Sequence, residues 1–313
     1  MASISPIPIE PRVFRIRSAY DTSIHLSLPY ALVDLTGIAL PRMQTFAVQA
    51  PYQQGATVID QILEPRTIQL MFNLAQIWGP AWPYADHGTR QNILQLVNPG
   101  LGALEFDLIM SNGDVYTLKD VWYEAGFEIG YSVRGQKTKQ NMALRLRAHD
   151  PAWWGDYHTW TINANTHNDM ALPAWSYMMP AENYGSWWSD VTMTLTGPMY
   201  NPKIYLAEWD AVAADYATVA LIELAEPVGA GETVVITTAF GNRAAVDALG
   251  ANVALDDATV FALFHLAYHP IRYLHDLQAN ANHYNNFIGP LISSGCTVAS
   301  TLKVEYYDRW LGV

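Results

Sequence analysis

Five titratable side chains crowd one short stretch near the carboxyl end of the chain: His265, His269, His275, Asp276 and His283. Two histidines four residues apart share one face of a helix, the spacing that a divalent metal requires. Between His265 and His269 stand Leu266, Ala267 and Tyr268, so the glutamate that completes a metalloprotease helix is missing. Phe261, Leu263 and Phe264 suit a strand equally well. In a strand, residues four apart are separated by about 13 Å, too far to share an ion. The stretch therefore supports either a metal pair or ordinary part-buried histidines.

Other constellations are weaker. Asp256 and Asp257 form the most obvious carboxylate pair, as glycoside hydrolysis would need. Sequence neighbours diverge in direction, however, and residues 252–257 read as a turn. No Gly-x-Ser-x-Gly elbow, Walker loop or dinucleotide fingerprint is present. Gly229-Ala-Gly231 resembles a phosphate loop but leads into a Thr-Val-Val-Ile-Thr strand, so a hairpin turn is expected there. Two tryptophan pairs remain. Trp187 and Trp188 could stack on a sugar ring, whereas Trp153 and Trp154 suit packing between domains or between subunits. No catalytic residue, metal site or cofactor is expected, and the chain does not read as an enzyme.

The elements that would position these residues are mostly strands. Met142, Leu144, Leu146 and Ala148 alternate with Arg145, Arg147 and His149, the period of a strand with one buried face. Asp150-Pro151 stops that strand, since proline cannot donate to a ladder and restricts the residue before it. Ile68, Leu70, Phe72 and Leu74 alternate in the same way, as do Val191, Met193 and Leu195, and near the end Leu302, Val304 and Tyr306. Leu104, Phe106 and Leu108 run into Ser111-Asn112-Gly113-Asp114, which predicts a hairpin with a type I′ turn and positive φ at both central residues. One helix is predicted over residues 88–97, with Ile93, Leu94 and Val97 inward and Asn98-Pro99-Gly100 as its exit. Residues 163–184 lack a clear period, and residues 207–224 suit helix and strand alike.

At 313 residues the chain can hold two domains, each with its own core. Half of the residues are hydrophobic and only 15% are charged, which describes a folded, aromatic-rich protein. The one cysteine, Cys296, rules out an internal disulfide and multi-cysteine metal sites. The amino terminus lacks the basic start and apolar core of a secretory signal, and no apolar run approaches the length of a membrane span. Folding in a reducing cytoplasm, without membrane insertion, is the expectation. Of the net charge of −12, residues 1–152 contribute almost nothing, with 12 Lys/Arg against 13 Asp/Glu. Residues 153–313 hold 5 against 16. Such an acidic half argues against direct nucleic-acid binding, which needs basic surface.

Taken in order, several phrases resemble the distal tail protein family of long-tailed bacteriophages. They are Gly55-Ala-Thr with Arg66-Thr-Ile-Gln-Leu-Met-Phe72, the helix and its Asn-Pro-Gly exit, and Leu-Arg-Ala-His-Asp-Pro-Ala-Trp-Trp154. Asn183-Tyr-Gly185 with Val191-Thr-Met-Thr-Leu-Thr-Gly-Pro-Met-Tyr-Asn-Pro-Lys-Ile204, then Gly229 to Thr237 and Val304 to Val313, complete the order. The resemblance implies a mainly β protein: an amino-terminal β-sandwich with one helix over residues 1–152, then a galectin-like β-sandwich over 153–313. It implies that residues 301–313 pack back on the first domain. It further implies a homo-hexameric ring that joins the tail tube protein to the tail tip or baseplate, contacts a tail hub or tail-associated protein, and lets DNA pass through its lumen. The outer domain would anchor receptor-binding or side-fibre proteins. The expected location is the virion tail tip, after assembly in the host bacterial cytoplasm. The alternative is a carbohydrate-binding β-sandwich for host-surface glycans, with Trp187 and Trp188 as its contacts.

Overall fold

The computed structural model describes residues 11–21, 23, 25–27, 32–48, 57–73, 93–126, 141–163, 179–210, 215–239, 242–256, 259, 264–266, 286–294 and 296–312. Two compact units emerge: Met1–Gly155 together with Trp310–Val313, and Asp156–Arg309. The chain passes from one to the other within the strand Trp153–Asn163 and returns within Thr301–Trp310. The expected boundary at 152/153 falls just before the first of these strands.

In the first unit, strands β1 (Pro11–Ser18), β2 (His25–Ser27), β3 (Leu32–Thr36), β6 (Arg66–Asn73), β7 (Leu104–Met110), β8 (Val115–Gly126) and β9 (Asn141–Ala148) pair antiparallel in the order β3-β6-β9-β8-β7-β1-β2. Alternation decides which face is buried. Leu144, Leu146 and Ala148 are inside while Arg145, Arg147 and His149 are exposed. Ile68 and Leu70 on β6 meet them, since Arg66 lies opposite Ala148 and Leu70 opposite Leu144. Phe14, Ile16, Phe106, Leu108, Leu118 and Val121 continue this core across the sheet. On the opposite face the fully buried carboxylate of Asp107 is held by Arg15 Nε at 2.7 Å, Arg17 Nε at 3.0 Å and the donating hydroxyl of Thr117 at 2.7 Å. A buried charge is tolerable only when paired and hydrogen-bonded in this way.

Two local expectations are revised. The β7–β8 connection is not a type I′ turn. Of its central residues only Gly113 takes positive φ, +97°, while its N–H donates to Met110 O at 3.1 Å. This is the three-residue pattern, in which a type I turn is followed by a glycine in the left-handed region. Helical backbone is present at residues 93–96, and Val97 N–H donates to Ile93 O at 2.9 Å. The inward residues are Ile93, Leu96 and Val97, with Leu94 half-buried. Residues 88–92 lie outside the described set. The short 3-10 turn Pro99–Leu101 then closes the segment, its amino end capped by Asn98 Oδ1, which accepts from Gly100 N–H at 3.0 Å.

Strands β4 (Met43–Val48) and β5 (Thr57–Leu63) form a separate two-stranded sheet. Phe46 lies opposite Asp60, and Gln44 opposite Ile62, so Phe46 and Ile62 share a face. They are 42% and 51% exposed, and Met43 is 46% exposed.

One buried cation ties the loops of this unit together. Arg66 is 2% exposed. Its Nε donates to Pro151 O at 2.9 Å and its Nη1 to Gly37 O at 2.8 Å; Nη1 also donates to Ala39 O, and Nη2 to Leu311 O. The guanidinium carbon sits 5.5 Å from the centre of the Trp153 ring. Burial pushes the Arg66 pKa down to about 10, with Asp150 opposing, so the group stays charged at neutral pH. Gly37 permits the arrangement: it has φ +90°, and a side chain there would place Cβ 2.0 Å from Thr67 O.

The second unit is built from two sheets. Along the first run β16 (Ala244–Asp247), β15 (Thr233–Thr237), β12 (Val191–Thr196), β18 (Thr301–Trp310) and β10 (Trp153–Asn163). The second holds β11 (Met179–Pro180), β17 (Asn286–Ser294), β13 (Tyr200–Asp210) and β14 (Asp215–Glu223). Val191, Met193, Leu195, Ile236, Leu302 and Val304 from one sheet share a core with Ile204, Leu206, Ile222 and Ile288 from the other, which makes a sandwich. Within the ambiguous residues 207–224, those described at 207–210 and 215–223 are strand: Ala207 to Asp210 end β13, and β14 pairs with β13 along its length. The fold class is mainly β, as expected. Among the described residues no helix is long and apolar enough to cross a membrane.

Hydrogen bonds to a charged donor contribute about 1.5–3 kcal/mol each, and unpaired buried acceptors add their own penalty. Arg66→Ala is therefore expected to destabilise the first unit by at least about 3 kcal/mol. Arg66→Lys should recover only part of the loss, because a point charge cannot serve carbonyls spread around a planar fork. Calorimetry of the full chain should show one unfolding transition moving down while the other holds.

Candidate functional site

Among the described residues, a polar and aromatic cluster lies in the second unit around residues 182–190, Glu-Asn-Tyr-Gly-Ser-Trp-Trp-Ser-Asp. Short polar residues and glycine favour turns over strand here, because their side chains bond to nearby backbone. Asn183 is fully buried and does this. Its Oδ1 accepts from Gly185 N–H at 3.0 Å and Arg309 N–H at 3.4 Å, while Nδ2 donates to Trp187 O at 2.6 Å. Arg309 O in turn accepts from Ser186 and Trp187 N–H at 2.8 and 2.9 Å. Gly185 is needed for this approach, since a Cβ there would sit 1.9 Å from Arg309 O. At the far end, Ser189 and Leu266 exchange both backbone bonds, and Ser189 Oγ donates to Tyr307 O at 2.5 Å.

Asp308, 3% exposed, supplies the charge at the centre. One carboxylate oxygen accepts from Tyr184 N–H at 2.9 Å, and the other lies 3.1 Å from His158 Nε2. The imidazole stacks on Tyr306, with centroids 4.9 Å apart and planes at 24°. Asp308 holds the His158 pKa above the usual imidazole value; burial opposes this, and Asp156 and Glu182 reinforce it. Burial raises the Tyr306 phenol, helped by the charges of Asp308 and Glu182, so it stays neutral.

The residues singled out from sequence fall as follows. Trp187 is half-buried over this turn, and Trp188 is 36% exposed, its ring meeting the His265 ring edge-on at 4.4 Å. Trp153 is fully buried in the first unit against Phe106 at 6.1 Å, with Nε1 donating to Ile38 O at 3.2 Å. Trp154 is half-buried: Nε1 donates to Asp150 Oδ2 at 2.9 Å, and Lys119 Nζ lies 3.7 Å over its ring. His265 is half-buried and Asp256 exposed. His269, His275, Asp276, His283 and Asp257 lie outside the described residues. Among those that are described, no three His, Cys, Asp or Glu side chains gather as metal ligands would. Of the two serines in this cluster, the buried Ser189 directs its Oγ at a backbone carbonyl, the use of a packing residue and not of a nucleophile.

His158, Asn183, Asp308 and Arg66 were not singled out as site residues. A signal existed for three of them. Arg66, His158 and Asp308 fall on the core-facing parity of their strands, in step with Ile68, Ile162 and Tyr306 respectively. Charge on a buried parity is the informative anomaly.

Fold and cluster together define a class: a two-unit antiparallel β protein whose polar centres hold turns against strands. No protein-family model matches the chain, and no curated protein matches its sequence. A solved structure does. The crystal structure of the Dit protein of phage SPP1, described as a paradigm of the hub adsorption apparatus in phages infecting Gram-positive bacteria, aligns over 95% of this chain and 99% of that one. The TM-score is 0.58 at 10% identity, so the chain has the fold of a Dit protein. The phage P2 baseplate in its activated conformation aligns over 94% of this chain and 97% of that chain, with a TM-score of 0.44 at 7% identity.

Trp153→Ala is expected to cost about 3–5 kcal/mol, the usual range for emptying a large aromatic site. Trp188→Ala, at a partly exposed position, should cost under about 1 kcal/mol. Urea denaturation of both variants, followed by circular dichroism, distinguishes these cases. Equal losses would refute the assignment of Trp153 to the core and Trp188 to the surface.

Proposed function

We propose that this chain is a structural subunit of a phage tail tip, in which six copies form a ring between the tail tube and the tip or baseplate. In this reading the first unit makes the ring and leaves a lumen for DNA. The second faces outward and anchors adhesion or receptor-binding proteins, and no catalysis is involved. The Dit-like fold supports the reading, and the observation that carries it is the β4–β5 hairpin. A two-stranded sheet alone is marginally stable in water, yet this one exposes Phe46 on one face with Ile62 beside it, and Met43 as well. Exposed apolar residues on such a sheet are what a neighbouring copy would cover, and a ring closes when each copy does so in turn. The nearly balanced charge of residues 1–152 suits a conduit that must not hold phosphate.

Mass photometry or light scattering on the purified protein should find a hexamer or a pair of stacked hexamers, with rings in negative-stain images. The double change Phe46→Asp and Ile62→Asp should convert these to folded monomers, since each aspartate would bury an unpaired charge at the contact. Monomers alone for the unaltered chain at high concentration, with no rings in the images, would sink the proposal.

A further inference from the structure

The buried carboxylate of Asp308 has two tasks at once. Its Oδ1 holds the Tyr184 amide at 2.9 Å, and its Oδ2 faces His158 Nε2 at 3.1 Å. The first bond fastens the start of the 183–189 turn to β18, and that turn carries Trp187 and Trp188. The second places a titratable ring against the same carboxylate. We propose that His158 and Asp308 form a proton-operated latch that fastens the Trp187–Trp188 turn to β18 when His158 is charged and loosens it when His158 is neutral.

The charged and titratable groups facing the imidazole are Asp156 on its own strand, Asp308 and Tyr306 on β18, and Glu182 and Tyr184 on the adjoining segment. Asp308, Asp156 and Glu182 each raise the imidazole pKa, and the Tyr306 ring offers its face to the imidazole. Each favours imidazolium. When the proton leaves, a carboxylate only 3% exposed loses its counter-charge. Buried charge without a partner is costly, and the relief open to Asp308 is to rotate toward water. Rotation would give up the Tyr184 amide, whereas the bonds from Asn183 and to Arg309 O do not depend on protonation. Loosening therefore starts at Tyr184 and is local.

The sign follows from linkage. The closed form binds the proton more tightly than the open form, as the raised His158 pKa agrees. Its stabilisation is complete below the ordinary histidine pKa and is lost as pH rises through the raised one. The latch is thus shut in mild acid and released toward the alkaline side of neutrality.

The test is hydrogen exchange of the full chain between pH 5.5 and 8.5, corrected for intrinsic exchange and read on peptides covering Tyr184 to Ser189. Protection should fall severalfold across the range, because the closed form is the one that binds the His158 proton more tightly. His158→Gln, at a part-exposed site, should fold normally and show low protection with no pH dependence beyond that of a control strand such as β12. Asp308→Asn, if it folds, should behave likewise, and in it the His158 titration seen by NMR should move down. Protection that stays constant in the unaltered chain while His158 titrates within the range would overturn the proposal. So would an unchanged pH profile in His158→Gln.

Discussion

The first unit depends on a guanidinium that water does not reach. Antiparallel pairing builds its sheet, but pairing alone does not fix the loops between strands. Arg66 does so, because its planar fork can donate to several carbonyls at once. The four it serves come from the turn after β9, from two positions in the loop between β3 and β4, and from the carboxyl-terminal segment. These points are far apart in sequence, and no strand bond links them. Trp153 beneath the guanidinium supplies an apolar floor and a cation–π face. Removing water from a charge is unfavourable; multiple carbonyl dipoles and the aromatic face offset it, and the result is a single geometry for the loops. The carboxyl-terminal residues Trp310–Val313 group with this unit in part through that bond and through the edge-on contact of Trp310 with Tyr116 at 6.0 Å.

The second unit solves a similar problem with the opposite charge. Its sandwich core needs no polar group, but the 182–190 turn must be carried on the end of β18. Asn183 and Asp308 hold it from inside, the amide by satisfying backbone donors and acceptors together, the carboxylate by accepting from one amide and facing one imidazole. Both units thus place a buried polar residue where regular strand bonding stops. That is where backbone groups would otherwise be left without partners. The difference lies in responsiveness: an arginine keeps its proton throughout the physiological range, whereas histidine does not.

Period-2 alternation made much of this architecture legible. In β6, β7, β9, β12 and β18 the described side chains that alternation assigns to the core are buried, among them Ile68, Leu70, Leu144, Leu146 and Ala148, while Leu74 lies outside the described residues; the stop at Asp150-Pro151 follows the end of β9 at Ala148. Local turn chemistry was less legible. Asn112-Gly113 signals a hairpin correctly but not its type, because loop length and register select the turn and sequence alone does not supply register. Residues 207–224 suit helix and strand alike because alanine-rich strands lack a propensity signature, and it is the pairing of β13 with β14 and with β17 that decides them. The polar centres escaped notice for a related reason. Residues clustered in sequence, such as His265 to His283, draw the eye, while the groups that meet in space can be far apart in the chain, as His158 and Asp308 are.

Where the polar atoms are spent bears on where function can reside. Asn183, Ser189, Thr238 and Ser300 all direct their side chains at backbone groups of their own unit, and Asp107 is consumed by two arginines and a threonine. Such groups are set by the demands of packing. Among the described residues the β4–β5 sheet carries phenylalanine, isoleucine and methionine at its surface. Hydrophobic area left in water is unfavourable in proportion to its extent, and no rearrangement of polar groups within the unit relieves that. Only another surface can.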